Sequence, residues 1–136
     1  MTRVLMSLAL FVPMCAPALA QGNQYTVPDG NRYAVLVIQN PTHLTINYAI
    51  RWGYGRWTHC SIEPGMRTTH SFRYTYLDQT SSPKPAVKFD CDLSSGVSDR
   101  EYELKAYAAP WRSSDLGKKH EFRIIDGREL DLVTLN

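Results

Sequence analysis

The sequence predicts an all-β protein, a small antiparallel β-sandwich of about seven or eight strands, with a small closed barrel as the alternative. Three observations lead there. Apolar residues recur at every second position rather than every third or fourth. Turn-forming Gly, Pro, Asn and Asp clusters interrupt the chain every eight to twelve residues or so. No segment carries helical periodicity, and short strands at such spacing close most simply as two stacked sheets.

The N-terminus reads as a targeting segment rather than part of the fold. Arg3 supplies the basic end, Leu5 to Val12 the apolar core, and Ala18-Leu19-Ala20 the small-residue pattern that a signal peptidase cuts. Residues 1–20 are therefore expected to be removed after Ala20, leaving a periplasmic or secreted protein. Residues 21–31, ending in Pro28-Asp29-Gly30-Asn31, form a polar lead-in, and 32–136 a single domain. The remaining length suffices for one modest core and not for two. No stretch approaches the ~20 apolar residues of a membrane-spanning helix.

YAVLVIQ, residues 33–39, is apolar and β-branched almost throughout, which suits a strand covered on both faces or one at the centre of a sheet. LTINYAIRW, residues 44–52, alternates cleanly and places Leu44, Ile46, Tyr48, Ile50 and Trp52 on one face. RWTHCSI (56–62) and RTTHSFRYTY (67–76) flank Glu63-Pro64-Gly65-Met66, whose Pro and Gly fit the two central turn positions. The polar loop 77–85 leads to AVKFDC (86–91). REYELKAYA (100–108) alternates again, and KHEFRII and ELDLVTL enclose Asp126-Gly127-Arg128, a strong hairpin signal.

An exported chain that discards Cys15 with its leader retains Cys60 and Cys91, and one disulfide between them is the expectation. Closing a loop of about 30 residues would stabilise the fold by roughly 3 to 4 kcal/mol. No Trp lies between these cysteines, so the sequence lacks the signature of an immunoglobulin domain.

Two segments carry candidate chemistry. If Glu63 to Met66 closes a tight hairpin, His59 stands opposite His70, Trp57 opposite Phe72, and Cys60 opposite Thr69. Directly opposed Cβ atoms lie about 4.5 to 5.5 Å apart, so the two imidazoles would form a transition-metal pair or a pH-sensing pair. A metal would need a third ligand, and His120 is the one other histidine set in a strand. The competing reading is an ordinary ladder of aromatic and imidazole rings. The second segment is DCDLSSGVSDRE, residues 90–101. Oxygen-bearing Asp90, Asp92, Ser94, Ser98 and Glu101 fall at the first, third, fifth, ninth and twelfth positions, a spacing that resembles the calcium loop of an EF-hand. No cofactor is expected from the rest of the chain, and the resemblance, if it holds, implies weak calcium binding. It departs from the pattern at Ser95, where the turn glycine belongs, and in its strand-like flanks. Asp, Ser and Gly are also what any strand-to-strand loop uses.

Composition excludes some classes and favours none strongly. Fifteen Lys and Arg against 13 Asp and Glu, scattered without a basic stripe, argue against nucleic acid. Lys118-Lys119-His120 reads as a solvated strand start. No nucleophile elbow, zinc-protease helix motif or phosphate-cradling loop is present. Three Trp, eight Tyr and four Phe include Trp57, Phe72, Tyr74 and Tyr76, which on strands would form an aromatic binding surface if exposed. The functional expectation is an exported, non-catalytic module that binds a protein or glycan. The alternatives are an inhibitor of a secreted or periplasmic hydrolase acting through loop 77–85, and a small metal-assisted hydrolase centred on His59 and His70.

Overall fold

A computed structural model describes residues 30–75, 81–94 and 96–136. The expected leader and most of the lead-in lie outside the described residues. Among those residues the chain forms nine strands and no α-helix: β1 Tyr33–Gln39, β2 Ile46–Trp52, β3 Thr58–Ile62, β4 Arg67–Arg73, β5 Pro85–Asp90, β6 Asp99–Glu103, β7 Tyr107–Ala109, β8 Lys118–Ile125 and β9 Glu129–Thr134. A short 3-10 turn, η1, covers Ser114–Leu116. Two open sheets face each other. Sheet A runs β4-β1-β8-β9, with β7 also paired to β1, and sheet B runs β3-β2-β5-β6. The sheets do not join into a barrel, so the architecture is the sandwich.

The core lies between the sheets and is made of alternate residues from each. Leu36 and Ile38 of β1 and Phe122 of β8 meet Tyr48 and Ile50 of β2 and Val87 and Phe89 of β5. Phe122 is the pivot, tilted against Tyr48 at 5.8 Å and edge-on to Phe89 at 5.1 Å between ring centroids.

β1 behaves as its unbroken apolar run predicts. It is paired along both edges, with β4 on one side and β7 followed by parallel β8 on the other. Leu36 and Ile38 enter the core, while Val35 and Val37, equally buried, point the other way. The strap between β7 and β8 covers them. A Cβ on Gly117 would lie 2.8 Å from Val37 Cγ2 and 3.1 Å from Val35 Cγ1, so only glycine allows the strap to sit this close.

Two sequence runs divide between the sheets. The Pro64-Gly65 turn forms as expected, with Gly65 at φ +75° and Met66 N–H donating to Glu63 O at 3.1 Å, but it does not make a hairpin. It passes the chain from β3 in sheet B to β4 in sheet A. Asn40 fixes this crossing: its carbonyl accepts from Gly65 N–H at 2.7 Å and its own N–H donates to Met66 O at 2.9 Å. The Asn40 side chain, almost fully buried, donates to Leu44 O and Ile62 O and accepts from Thr42, so every polar atom of the amide is used. The run 100–108 is likewise broken. After β6 in sheet B, Leu104 drops into the core, and β7 resumes in sheet A against β1. His120, which the sequence placed at a solvated strand start, is fully buried and pins this crossing, with Nε2 2.9 Å from Lys105 O and Nδ1 3.0 Å from Thr134 Oγ1.

The Asp126-Gly127 signal holds. Both residues have positive φ, 52° and 66°, as a type I′ turn requires, and Arg128 N–H returns to Ile125 O at 3.1 Å between β8 and β9.

The disulfide expectation is overturned. Cys91 is a buried free thiol whose Sγ lies 3.0 Å from Ser98 O. β2 stands between β3, which carries Cys60, and β5, which runs up to Cys91. Two strand spacings separate the cysteines by about 9.5 Å, beyond the roughly 7 Å that a cystine spans.

Candidate functional site

The histidine pair is not formed. With β3 and β4 in different sheets, His59 pairs in register with Ala49 and His70 with Leu36. His59 sits on the outer face of sheet B, whereas His70 is buried between the sheets. Its Nε2 lies 2.8 Å from the hydroxyl of Tyr48, which reaches across from sheet B, and the two rings meet edge-on. Burial pushes the His70 imidazole down to about 4 and holds the Tyr48 hydroxyl above its usual range. Both groups are therefore neutral near pH 7, and the pair acts as a polar link between sheets. The metal pair, the paired pH sensor and a hydrolase centred on them all required a hairpin that the crossing at Asn40 prevents.

The aromatic stripe is also divided. Trp57 lies on sheet B, Phe72 packs against Trp52 at 5.6 Å, and Tyr74 is buried, so these three do not make one surface. Tyr76 lies outside the described residues, as does part of loop 77–85.

The loop 90–101 is shaped by its own backbone. Asp90 Oδ1 accepts from Asp92 N–H at 3.0 Å and Ser98 N–H at 2.9 Å. Asp92 Oδ1 accepts from both the N–H and the hydroxyl of Ser94 at 2.8 and 2.5 Å, which holds that carboxyl below its usual range. Glu101 does not close the loop. It lies on β6 opposite Lys88 and makes an ion pair with Arg51 at 3.3 Å. Ser95 lies outside the described residues. Among those described, no three His, Cys, Asp or Glu side chains are grouped to hold a metal.

The structure instead draws residues together on the outer face of sheet B. The register sets His59, Ala49, Lys88 and Glu101 in one row across all four strands. A methyl group at the second position leaves a shallow depression of about 520 Å³, bordered by Asn47 and Ser61 on one side and Lys88, Asp90 and Asp99 on the other. At one end stands Trp57, with the Arg51 guanidinium and the Lys88 ammonium each 4.4 Å from its ring centroid. The rim thus offers an amide, a hydroxyl, an ammonium and two carboxylates, from four strands, around an apolar floor. The sequence contained one hint of it, the small Ala49 set between Asn47 and Arg51 on the polar face of β2.

Comparison with known protein families, curated proteins and solved structures finds no match to this chain.

Proposed function

We propose that the chain is an exported, non-catalytic binding module and that the outer face of sheet B receives its partner, a protein side chain or a glycan. The observation that carries this reading is the depression over Ala49. Its floor is apolar, its rim presents donors and acceptors from rigid strands, and polar placements of this kind fix a ligand's orientation. A face built from paired strands holds these groups more firmly than a loop would.

Tagged protein used as bait against extracellular and envelope fractions, and on a glycan array, tests the proposal. Asn47→Arg, at an exposed rim position, and Lys88→Glu are expected to lower capture of the partner at least tenfold while thermal melts stay within a few degrees of wild type. Capture of the same partner by both variants at wild-type strength rejects this face. The array and the mass-identified protein partners decide between glycan and protein.

A further inference from the structure

We infer that the strap on the opposite side of the molecule, together with the strand residues that flank it from Tyr107 of β7 to Lys119 of β8, docks the protein on an anionic lipid bilayer. The strap covers β1, and its backbone is held in place. Ser113 Oγ accepts from Asp115 N–H at 3.3 Å, Leu116 N–H donates to Ser113 O at 3.1 Å, and Gly117 lies against Val35 and Val37. From this anchored segment, large apolar side chains project into solvent: Trp111 is 68% exposed, Tyr107 50% and Leu116 37%. Three such residues within ten positions form a local concentration of exposed apolar surface, unlike single exposed residues scattered over a fold.

Cations are interleaved with them. The Arg112 guanidinium lies 5.6 Å from the Tyr33 ring centroid and the Lys118 ammonium 5.2 Å from that of Tyr107. Neither makes an ion pair among the described residues, and with Lys119 they face one acid in the strap, Asp115. The outer face of sheet B is different: there Arg51 and Lys84 are matched by Glu101 and Glu103.

An unneutralised positive segment calls for an anionic partner. Indole, phenol and leucine side chains beside such cations fit the boundary of a bilayer, where rings and the leucine side chain bury among the acyl carbonyls while guanidinium and ammonium groups reach lipid phosphates. The strap is also far shorter than the roughly 20 to 30 residues a side that a stable protein interface uses. A bilayer needs no complementary shape and is engaged by a few anchors of this kind. The contact is peripheral, and it leaves the Ala49 depression facing away from the membrane.

Cosedimentation with vesicles of phosphatidylcholine, with and without phosphatidylglycerol, tests the inference, using purified protein whose N-terminus is fixed by mass. Wild type is expected to pellet with the anionic vesicles, to bind neutral ones much more weakly, and to be released by salt. Arg112→Ala with Lys118→Ala should weaken binding about 25-fold, at about fivefold per cation. Trp111→Phe should remove the blue shift of tryptophan emission on binding, because Trp52 and Trp57 lie elsewhere, and Trp111→Ala should lower affinity about tenfold or more. Circular dichroism and melting confirm that the variants fold, and Asn47→Arg, on sheet B, should bind vesicles as wild type does. Failure of wild type to bind anionic vesicles, or equal binding by the folded strap variants, overturns the inference. So does capture by polyglutamate that matches vesicle binding and is indifferent to Trp111→Ala, which would indicate an acidic protein partner.

Discussion

Strand β1 of sheet A and strand β2 of sheet B have the same length and lie at matching positions, yet β1 is buried on both faces while β2 leaves Asn47 exposed and Arg51 partly so on its outer side. The chain itself covers β1, through the strap that ends at Gly117, and nothing in the described chain covers β2. A face closed by its own polypeptide contributes to stability, whereas a polar face left open is available for binding. Substitutions on the two outer faces should therefore divide between loss of fold and loss of partner.

The largest effect is expected where the same chemistry is placed on both faces. Val37→Asp puts a carboxylate into a site with no solvent exposure, under the strap, and the chain should lose about 4 kcal/mol or more, enough to unfold many single domains. Asn47→Asp places the same group on the open face and should stay within about 0.5 kcal/mol. Urea titrations of the two variants measure the contrast. Similar midpoints would mean that β1's outer face is not covered.

Next comes the contact that joins the sheets. His70 has a pKa of about 4 when folded, against 6.5 when exposed, because burial disfavours the imidazolium. Between these values the unfolded chain binds more protons than the folded one. Stability is therefore complete above about pH 6.5, falls as pH drops towards 4, and changes little below that on this account. The full loss is about 3 kcal/mol by the linkage relation. His120, also lowered by burial, adds in the same direction. The facing Tyr48 hydroxyl works at the other limit: its raised pKa means that the unfolded chain ionises first, so stability falls as pH rises above about 10. Denaturation midpoints from pH 4 to 7, for wild type and His70→Gln, check this. The variant should be less stable at pH 7 but should lose less on acidification, and parallel curves would remove His70 from the account.

Much of this division was legible in residues 33–52. The unbroken apolar run of β1 foretold two covered faces, and the alternation of β2 foretold one. Asp126-Gly127 specified its turn because Asp and Gly both accept the positive φ that a type I′ hairpin turn needs at its two central positions. The candidate sites were harder to read because local pattern does not say which sheet a strand joins. Residues 56–76 have every sign of a hairpin, and it takes the Asn40 clamp, remote in sequence, to turn β4 onto β1 and separate His59 from His70. Spacing likewise put Cys60 and Cys91 in the same domain without showing that β2 lies between them. The depression at Ala49 depends on a row across four strands, and no linear motif encodes such a row.

A smaller effect isolates the strap. Gly117 has φ −82°, which any residue adopts, so replacing it tests contact and not backbone strain. An added Cβ would meet Val37 Cγ2 at 2.8 Å and the Leu36 carbonyl carbon at 3.3 Å, and the second of these cannot turn aside. Gly117→Ala should cost roughly 1 to 3 kcal/mol, with faster hydrogen exchange along the strap and β1 and little change in β5 and β6. Exchange rising equally in both sheets would show that the strap is not a separate cover.

The smallest effect is expected on the open face, at the ion pair between Arg51 and Glu101. Both side chains are partly solvated, so water and salt screen their attraction, and Arg51 keeps its contact with Trp57 whether or not Glu101 is charged. Glu101→Gln should change stability by no more than about 0.5 kcal/mol. Its effect on binding has a definite sign. Removing one negative charge beside the depression leaves Arg51 and Lys88 less neutralised, so a partner that presents an anion gains affinity and one that presents a cation loses it. Partner capture by Glu101→Gln at two salt concentrations reads that sign, and a folding change as large as that of Gly117→Ala would show that the polar face of sheet B also holds the fold together.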